Sequence, residues 1–280
     1  MNNHPAEIFG YYIGDTSIEA SKVRKAHWCP FTDKVCNKSS RLINYPFGVC
    51  TTAHGNTFYT ICPRRFEEKG MIEGIPLVLE NVALHYFGDL ANLVLFSEIR
   101  LPNVGSIDFV LVHHKPMKAE VDDFLPVEFQ SDSTTGTGPL VQSLKDFMAG
   151  INILENKYNF GINTYDTIKR SITQLFNKGI VYETWGIKSY WVIQEYIYAN
   201  LVKRYGIKTE GFAPEHASRF ALQDFSWDDN KIKLQTTRYV SVSVDEIYQA
   251  MRNNPGLPNK GQFVATLNDK LKARLNLKFD

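Results

Sequence analysis

All four cysteines of this 280-residue chain lie within 34 residues, at Cys29, Cys36, Cys50 and Cys62. They stand in the stretches HWCPFTDKVCNKSS and GVCTTAHGNTFYTICPRRF, with the spacing C-x6-C-x13-C-x11-C. Four thiolates complete a tetrahedral shell for zinc or iron, and a shell closed by protein leaves no position for substrate. Such a site is structural. The first residues, MNNHPAEIFGYY, have neither the basic start nor the apolar core of a secretory signal, so a reducing cytoplasm is expected, where disulfides do not persist. Two other readings compete: four buried free thiols acting as small hydrophobes, or two disulfides in an exported chain. Confinement of every cysteine to one stretch, with Pro30 and Pro63 directly after Cys29 and Cys62, favours the metal. The absence of a CxxC pair makes the pattern less specific than a zinc knuckle, and His27 and His54 are alternative ligands.

A second constraint comes from FLPVEFQSDS, residues 124–133. Side chains alternate along a strand, so Val127 and Phe129 point one way while Glu128 and Gln130 point the other. A carboxylate taken out of water needs a cation, donors or a metal. Upstream, VGSIDFVLVHH reads as another strand that starts at Gly105-Ser106, with Asp108 on the face of Val110 and Val112. The connection HKPMKAEVDD is polar and turn-prone, so residues 106–113 and 124–131 are expected to form an antiparallel hairpin. That hairpin brings Asp108 and Glu128 to one site. Two carboxylates suit Mg²⁺, which keeps several waters and is commonly completed by substrate phosphate. Gln130 shares the face of Glu128 and could position water, but an amide is no general base, so the activating group lies elsewhere. The bland alternative is a surface hairpin with a polar outer face.

The remaining segments read as ordinary elements. GPLVQSLKDFMAGI is a helix candidate. Residues 164–179 carry Ile168, Ile172 and Leu175 at helical spacing, with Gly179 as the stop. IKSYWVIQEYIYANLVKRYG is a strand running into a helix, whose Tyr190 and Trp191, like Trp185 before them, suit core packing better than stacking on bases. SVDEIYQAMRNNPG is a helix capped by Ser243, and the basic tail from 257 on carries a final helix. No apolar run approaches the ~20 residues of a membrane span. Net charge is +1 but uneven: +3 over residues 1–70, −7 over 71–160 and +5 over 161–280. An acidic centre between basic flanks suits a cation site bordered by surfaces that attract polyanions. No P-loop, GxGxxG or GxSxG is present, which argues against ATP-driven action.

The order Asp108, then Glu128-Phe129-Gln130, resembles the PD-(D/E)XK nuclease superfamily. With four cysteines upstream it is similar to the NotI family of type II restriction endonucleases over roughly residues 25–200. The resemblance implies an α/β fold: a mixed central sheet flanked by helices over 76–280, with a C-terminal helical extension, after a four-cysteine module over 1–75. It implies Mg²⁺-dependent cleavage of double-stranded DNA at a specific, palindromic, GC-rich site. Asp108 and Glu128 would be the metal ligands and Gln130 would stand at the third motif position, where Lys is usual. Cys29, Cys36, Cys50 and Cys62 would hold iron by the family's pattern, or zinc by general chemistry. Ile107 in place of the motif Pro is a minor departure. Lys145 is a candidate for the missing lysine, against an exposed helix charge, and Glu98, expected at a helix end, could add a carboxylate. Arg24 and Lys25 (with Lys22), and Arg64 and Arg65, are candidate DNA contacts, each weighed against plain solvated charge. Cutting both strands of a symmetric site implies a homodimer. The rival reading is a non-catalytic nucleic-acid-binding or redox-sensing regulator that carries the thiolate-bound metal.

Overall fold

The computed structural model describes residues 3–207, 211–228 and 231–275. The N-terminal part runs β1 (His4–Ile8), β2 (Tyr11–Tyr12), α1 (Ile18–Lys25), β3 (Trp28–Cys29), β4 (Lys34–Val35), β5 (Val49–His54), β6 (Thr57–Thr60) and a 3₁₀ turn (Pro63–Phe66). The central part runs α2 (Leu77–Phe87), β7 (Leu93–Leu101), β8 (Gly105–His114), β9 (Val121–Gln130), β10 (Thr134–Thr135), α3 (Thr137–Met148) and β11 (Gly161–Ile162). The chain continues through α4 (Thr164–Trp185), β12 (Ser189–Gln194), α5 (Glu195–Tyr205), β13 (Ser218–Asp228), β14 (Lys231–Val242), α6 (Val244–Arg252) and α7 (Lys260–Leu275). None of the described helices is long and apolar enough to cross a membrane.

Six strands form a mixed central sheet in the order β14-β13-β12-β9-β8-β7. The expected hairpin is its β8–β9 pair, with Phe109 opposite Val127 and Leu111 opposite Leu125. β12 joins β9 in parallel, Trp191 beside Glu128 and Ile193 beside Gln130. Alternation then sorts the two faces. Leu111, Leu125, Val127 and Phe129 pack with Leu79 and Val82 of α2. Trp191 and Ile193 pack on the other side with Ile168, Ile172 and Leu175 of α4. Tyr190 and Trp191 are both fully buried, as core packing requires, whereas Trp185 at the end of α4 is about half exposed at 52%.

The cysteine-bearing segment is joined to this body by apolar burial. Ile8, Phe9, Phe47 and Val49 share a cluster with Leu140, Val141 and Leu144 of α3. At the turn between β1 and β2, Gly10 has φ +77, and a Cβ there would stand 2.3 Å from Cγ of Pro30, so only glycine lets the two segments meet. A buried arginine adds a polar clamp. Arg65 Nε donates to Glu7 Oε2 at 2.8 Å, and its other nitrogens reach Glu68 Oε2 at 2.8 Å and the Ile232 carbonyl at 2.9 Å.

Two expectations about elements are corrected. Gly179 does not stop a helix: α4 continues to Trp185, and Gly186 caps it in the left-handed conformation at φ 69. Gly179 is buried mid-helix, where a Cβ would lie 2.9 Å from Val244 Cγ2 and 3.3 Å from Ser218 Oγ. It lets α6 and β13 approach α4 closely. Glu98 lies on the edge strand β7, not on a helix, because its neighbours pair across to β8. The capped helix after Ser243 and the final helix both form, and Ser243 and Glu246 make a reciprocal capping box. Residues 276–280 of the basic tail lie outside the described residues. Gly179→Val should cost about 1–3 kcal/mol by overpacking, read as a lower urea midpoint for the full chain.

Candidate active site

Glu128 and Gln130 point from β9 toward α4, and α4 meets them with a polar row. Arg170, Gln174 and Lys178 recur every four residues, so they lie along one side of the helix. Lys178 Nζ donates to Glu128 Oε1 at 2.6 Å and to the Ser106 carbonyl at 2.6 Å. Gln130 Nε2 donates to Gln174 Oε1, and Ser171 Oγ donates to Gln130 Oε1 at 3.3 Å. Glu128 and Lys178 are both buried.

Asp108 reaches the same place from β8. Its Oδ2 accepts the Phe129 backbone N–H at 2.9 Å, which fixes the carboxylate beside Glu128. Glu128 Oε2 is buried with no N–H or hydroxyl donor to it, and a proton on Glu128 would bond the Asp108 carboxyl. Burial pushes the Glu128 carboxyl up to about 7, the charge of Asp108 pushes the same way, and the Lys178 ammonium opposes both. Tyr182, one turn beyond Lys178, is raised well above its ordinary value by burial and by the charges of Glu128 and Asp108.

Asp108 and Gln130 open onto a cleft of about 800 Å³. Its walls add Glu67 and Glu98 to the acidic groups and Lys34, Lys38, Arg64 and Arg170 to the basic ones. Glu98 stands opposite Asp108, between the pairs Ser97–Phe109 and Ile99–Ile107, with φ 55, an uncommon conformation for a residue with a Cβ. Glu67 is raised above the usual carboxylate value mainly by burial and also by Asp108, while Arg64, 2.6 Å away, opposes this. Acidic and basic groups that line one cleft can hold a cation and a phosphate together.

The other expected site residues separate. Lys145 is exposed on α3 and makes no bond to Asp108, Glu128 or Gln130, whereas Lys178 is bonded to Glu128. Arg65 is buried, with its donors taken up by Glu7, Glu68 and Ile232, so it is an interior clamp rather than a surface contact. Arg24 is half-buried: Nη1 donates to the Asp15 carbonyl at 2.7 Å and Nη2 to the Tyr12 carbonyl at 2.6 Å. Lys22 and Lys25 are exposed on α1, and Arg64 lines the cleft. Sequence reading missed Lys178 and Glu67. Lys178 did carry a signal, since it falls on the apolar helical period between Leu175 and Tyr182.

Cys29, Cys36, Cys50 and Cys62 are free thiols, and all four line one cavity of about 20 Å³. Cys29, Cys50 and Cys62 are buried and Cys36 is half-buried. Burial pushes the thiols of Cys36, Cys50 and Cys62 up, and the charges of the neighbouring thiols add to the rise for each. Neither His27 nor His54 lines this cavity. Among the described residues no three His, Cys, Asp or Glu side chains stand in a ready ligating array.

Because its pKa is raised from 4.5 to about 7, folded Glu128 keeps a proton that the unfolded chain has lost between those values. Stability therefore falls as pH rises through that window. Glu128→Gln should remove this part of the slope, measured by urea unfolding from pH 4.5 to 7.5 in the absence of divalent cations.

No curated protein matches the chain. A family model described as restriction endonuclease NotI matches residues 7–211. That stretch holds all four cysteines, Asp108, Glu128, Gln130 and the whole polar row of α4, and it ends before β13 begins. With almost three quarters of its length and every residue of the cleft floor inside the match, the chain belongs to the NotI family of restriction endonucleases.

Proposed function

We propose that this type II restriction endonuclease hydrolyses phosphodiester bonds of double-stranded DNA by Mg²⁺-dependent attack of water in the cleft above β8 and β9. The observation that carries the reading is Glu128 Oε2, buried beside Asp108 and without a donor. A hard cation satisfies such an oxygen, and the donor set of Asp108 and Glu128 is all oxygen, as Mg²⁺ prefers. When bound, Mg²⁺ polarises the phosphoryl oxygen and supplies hydroxide from a coordinated water. Asp108, held by the Phe129 N–H, and Glu128, held by Lys178, would be its protein ligands. Gln130 stands at the third motif position, its amide oriented by Gln174 and Ser171 at the edge of the cleft. Arg64 and Arg170 suit contacts to the DNA backbone, as does exposed Lys25, since phosphate contacts position a duplex without reading its sequence. The acidic hairpin, the helix after it and the parallel strand β12 support a PD-(D/E)XK core.

The thiols suit a structural iron or zinc carried by the segment over residues 1–75. Their cavity has room for about one water-sized occupant, and the four thiols that line it would close a shell if they converged on an ion. Binding requires the thiols to lose their protons, which burial disfavours until a metal is present. Two copies about a two-fold axis would place one centre on each strand of a palindromic, GC-rich site in cytoplasmic DNA.

Incubation with plasmid DNA and Mg²⁺ should give discrete fragments. Asp108→Ala and Glu128→Ala should abolish them while the thermal transition persists. Continued cutting by both variants would remove Asp108 and Glu128 from the reaction. DNA binding indifferent to Mg²⁺, with no cleavage by the unaltered protein, would favour the regulator. Elemental analysis of the purified protein should find one iron or zinc per chain, and Cys50→Ser should lower both metal content and Tm.

A further inference from the structure

We infer that Lys178, delivered from α4, is the positioning residue of the catalytic strand, holding Glu128 by Oε1 so that Oε2 stays turned toward Asp108. The inference rests on the hydrolytic reading above and adds the positive charge that Gln130 does not bring to β9.

Three observations carry it. Nζ of Lys178 has two fixed acceptors on two strands, Glu128 Oε1 and the Ser106 carbonyl, each at 2.6 Å. An ammonium has three N–H donors, so these two bonds set its orientation and leave one hydrogen over. Second, the two oxygens of Glu128 are unequal: Oε1 is bonded to the lysine, while Oε2 is buried with no N–H or hydroxyl donor to it. A carboxylate held by one oxygen keeps the other at a fixed place and angle. Third, the lysine is not an isolated charge. One and two turns earlier, Gln174 holds Gln130 and Arg170 lines the cleft, so α4 acts as a ruler laid along the site. The helix itself is held rigidly, with Ile168, Ile172 and Leu175 packed on Trp191 and Ile193, and with Gly179 letting Val244 press against it.

A lysine that only neutralises a buried carboxylate could be replaced by the divalent cation itself. Saturating Mg²⁺ would then restore full cleavage in its absence. A lysine that sets the angle of Glu128 could not be replaced so. The test is plasmid cleavage by the full chain at rising Mg²⁺, which separates the Mg²⁺ concentration for half-maximal rate from the rate at saturation. Lys178→Met should leave the half-maximal concentration no higher, because a repelling charge has gone. It should lower the saturated rate about a hundredfold, the effect of misplacing a reacting group by about 1 Å. Lys178→Arg keeps the charge and serves if the Met variant fails to fold. Its larger planar head cannot reproduce both bonds, so its saturated rate should fall as well. A wild-type saturated rate in either folded variant would overturn the inference. Cutting by Asp108→Ala and Glu128→Ala would instead overturn the reading beneath it.

Discussion

A carboxylate with no access to water is the constraint around which the molecule is arranged. Glu128 lies in the middle of the central sheet, between a strand that brings another negative charge and a helix that brings a positive one. Taking an ion out of water costs several kcal/mol even after relaxation, and one ammonium shared with a backbone carbonyl offsets only part of that. Burial and the neighbouring charge of Asp108 accordingly push the Glu128 carboxyl above its ordinary value.

The cysteine segment is part of the same arrangement. Lys38 and Arg64 line both the thiol cavity and the cleft. Cys62 is followed directly by the 3₁₀ turn that carries Arg64, while Cys36 precedes Lys38 by two residues. Whatever fixes the thiols therefore also fixes part of the basic lining of the cleft. The packing of the thiols and the electrostatics of the cleft are thus linked through the backbone.

Much of the floor of the site was legible in the sequence. Period-two alternation placed Glu128 and Gln130 against Val127 and Phe129, and the turn-prone connection paired that strand with the one carrying Asp108. Strand β12 and its following helix, the Ser243 cap and the last helix were readable for the same reason, since local signals decide them. What could not be read depends on distant packing. Gly179 looks like a stop until one sees that Val244 and Ser218 occupy the space where a side chain would be. Glu98 looks like a helix end because its place on the edge strand β7, with a positive φ, leaves no mark in composition. Arg65 reads as a surface charge, but its buried partners Glu7 and Ile232 come from two distant parts of the chain. Lys178 was hidden differently. A lysine on an apolar stripe invites the question of its partner, but the answer lies 50 residues earlier in the sequence.

The Arg65 clamp sets an order on the birth of the molecule. Its last acceptor, the Ile232 carbonyl, comes 167 residues after the arginine itself. A nascent chain that has released the cysteines, the hairpin and α4 from the ribosome still has one guanidinium bond unmade and β14 missing from the sheet edge. The other ties of the N-terminal segment, its apolar cluster with α3 and the bonds of Arg65 to Glu7 and Glu68, need no part of the chain beyond residue 162. One side chain thus ties β1 to β14 across most of the described chain, through the turn that also carries Arg64.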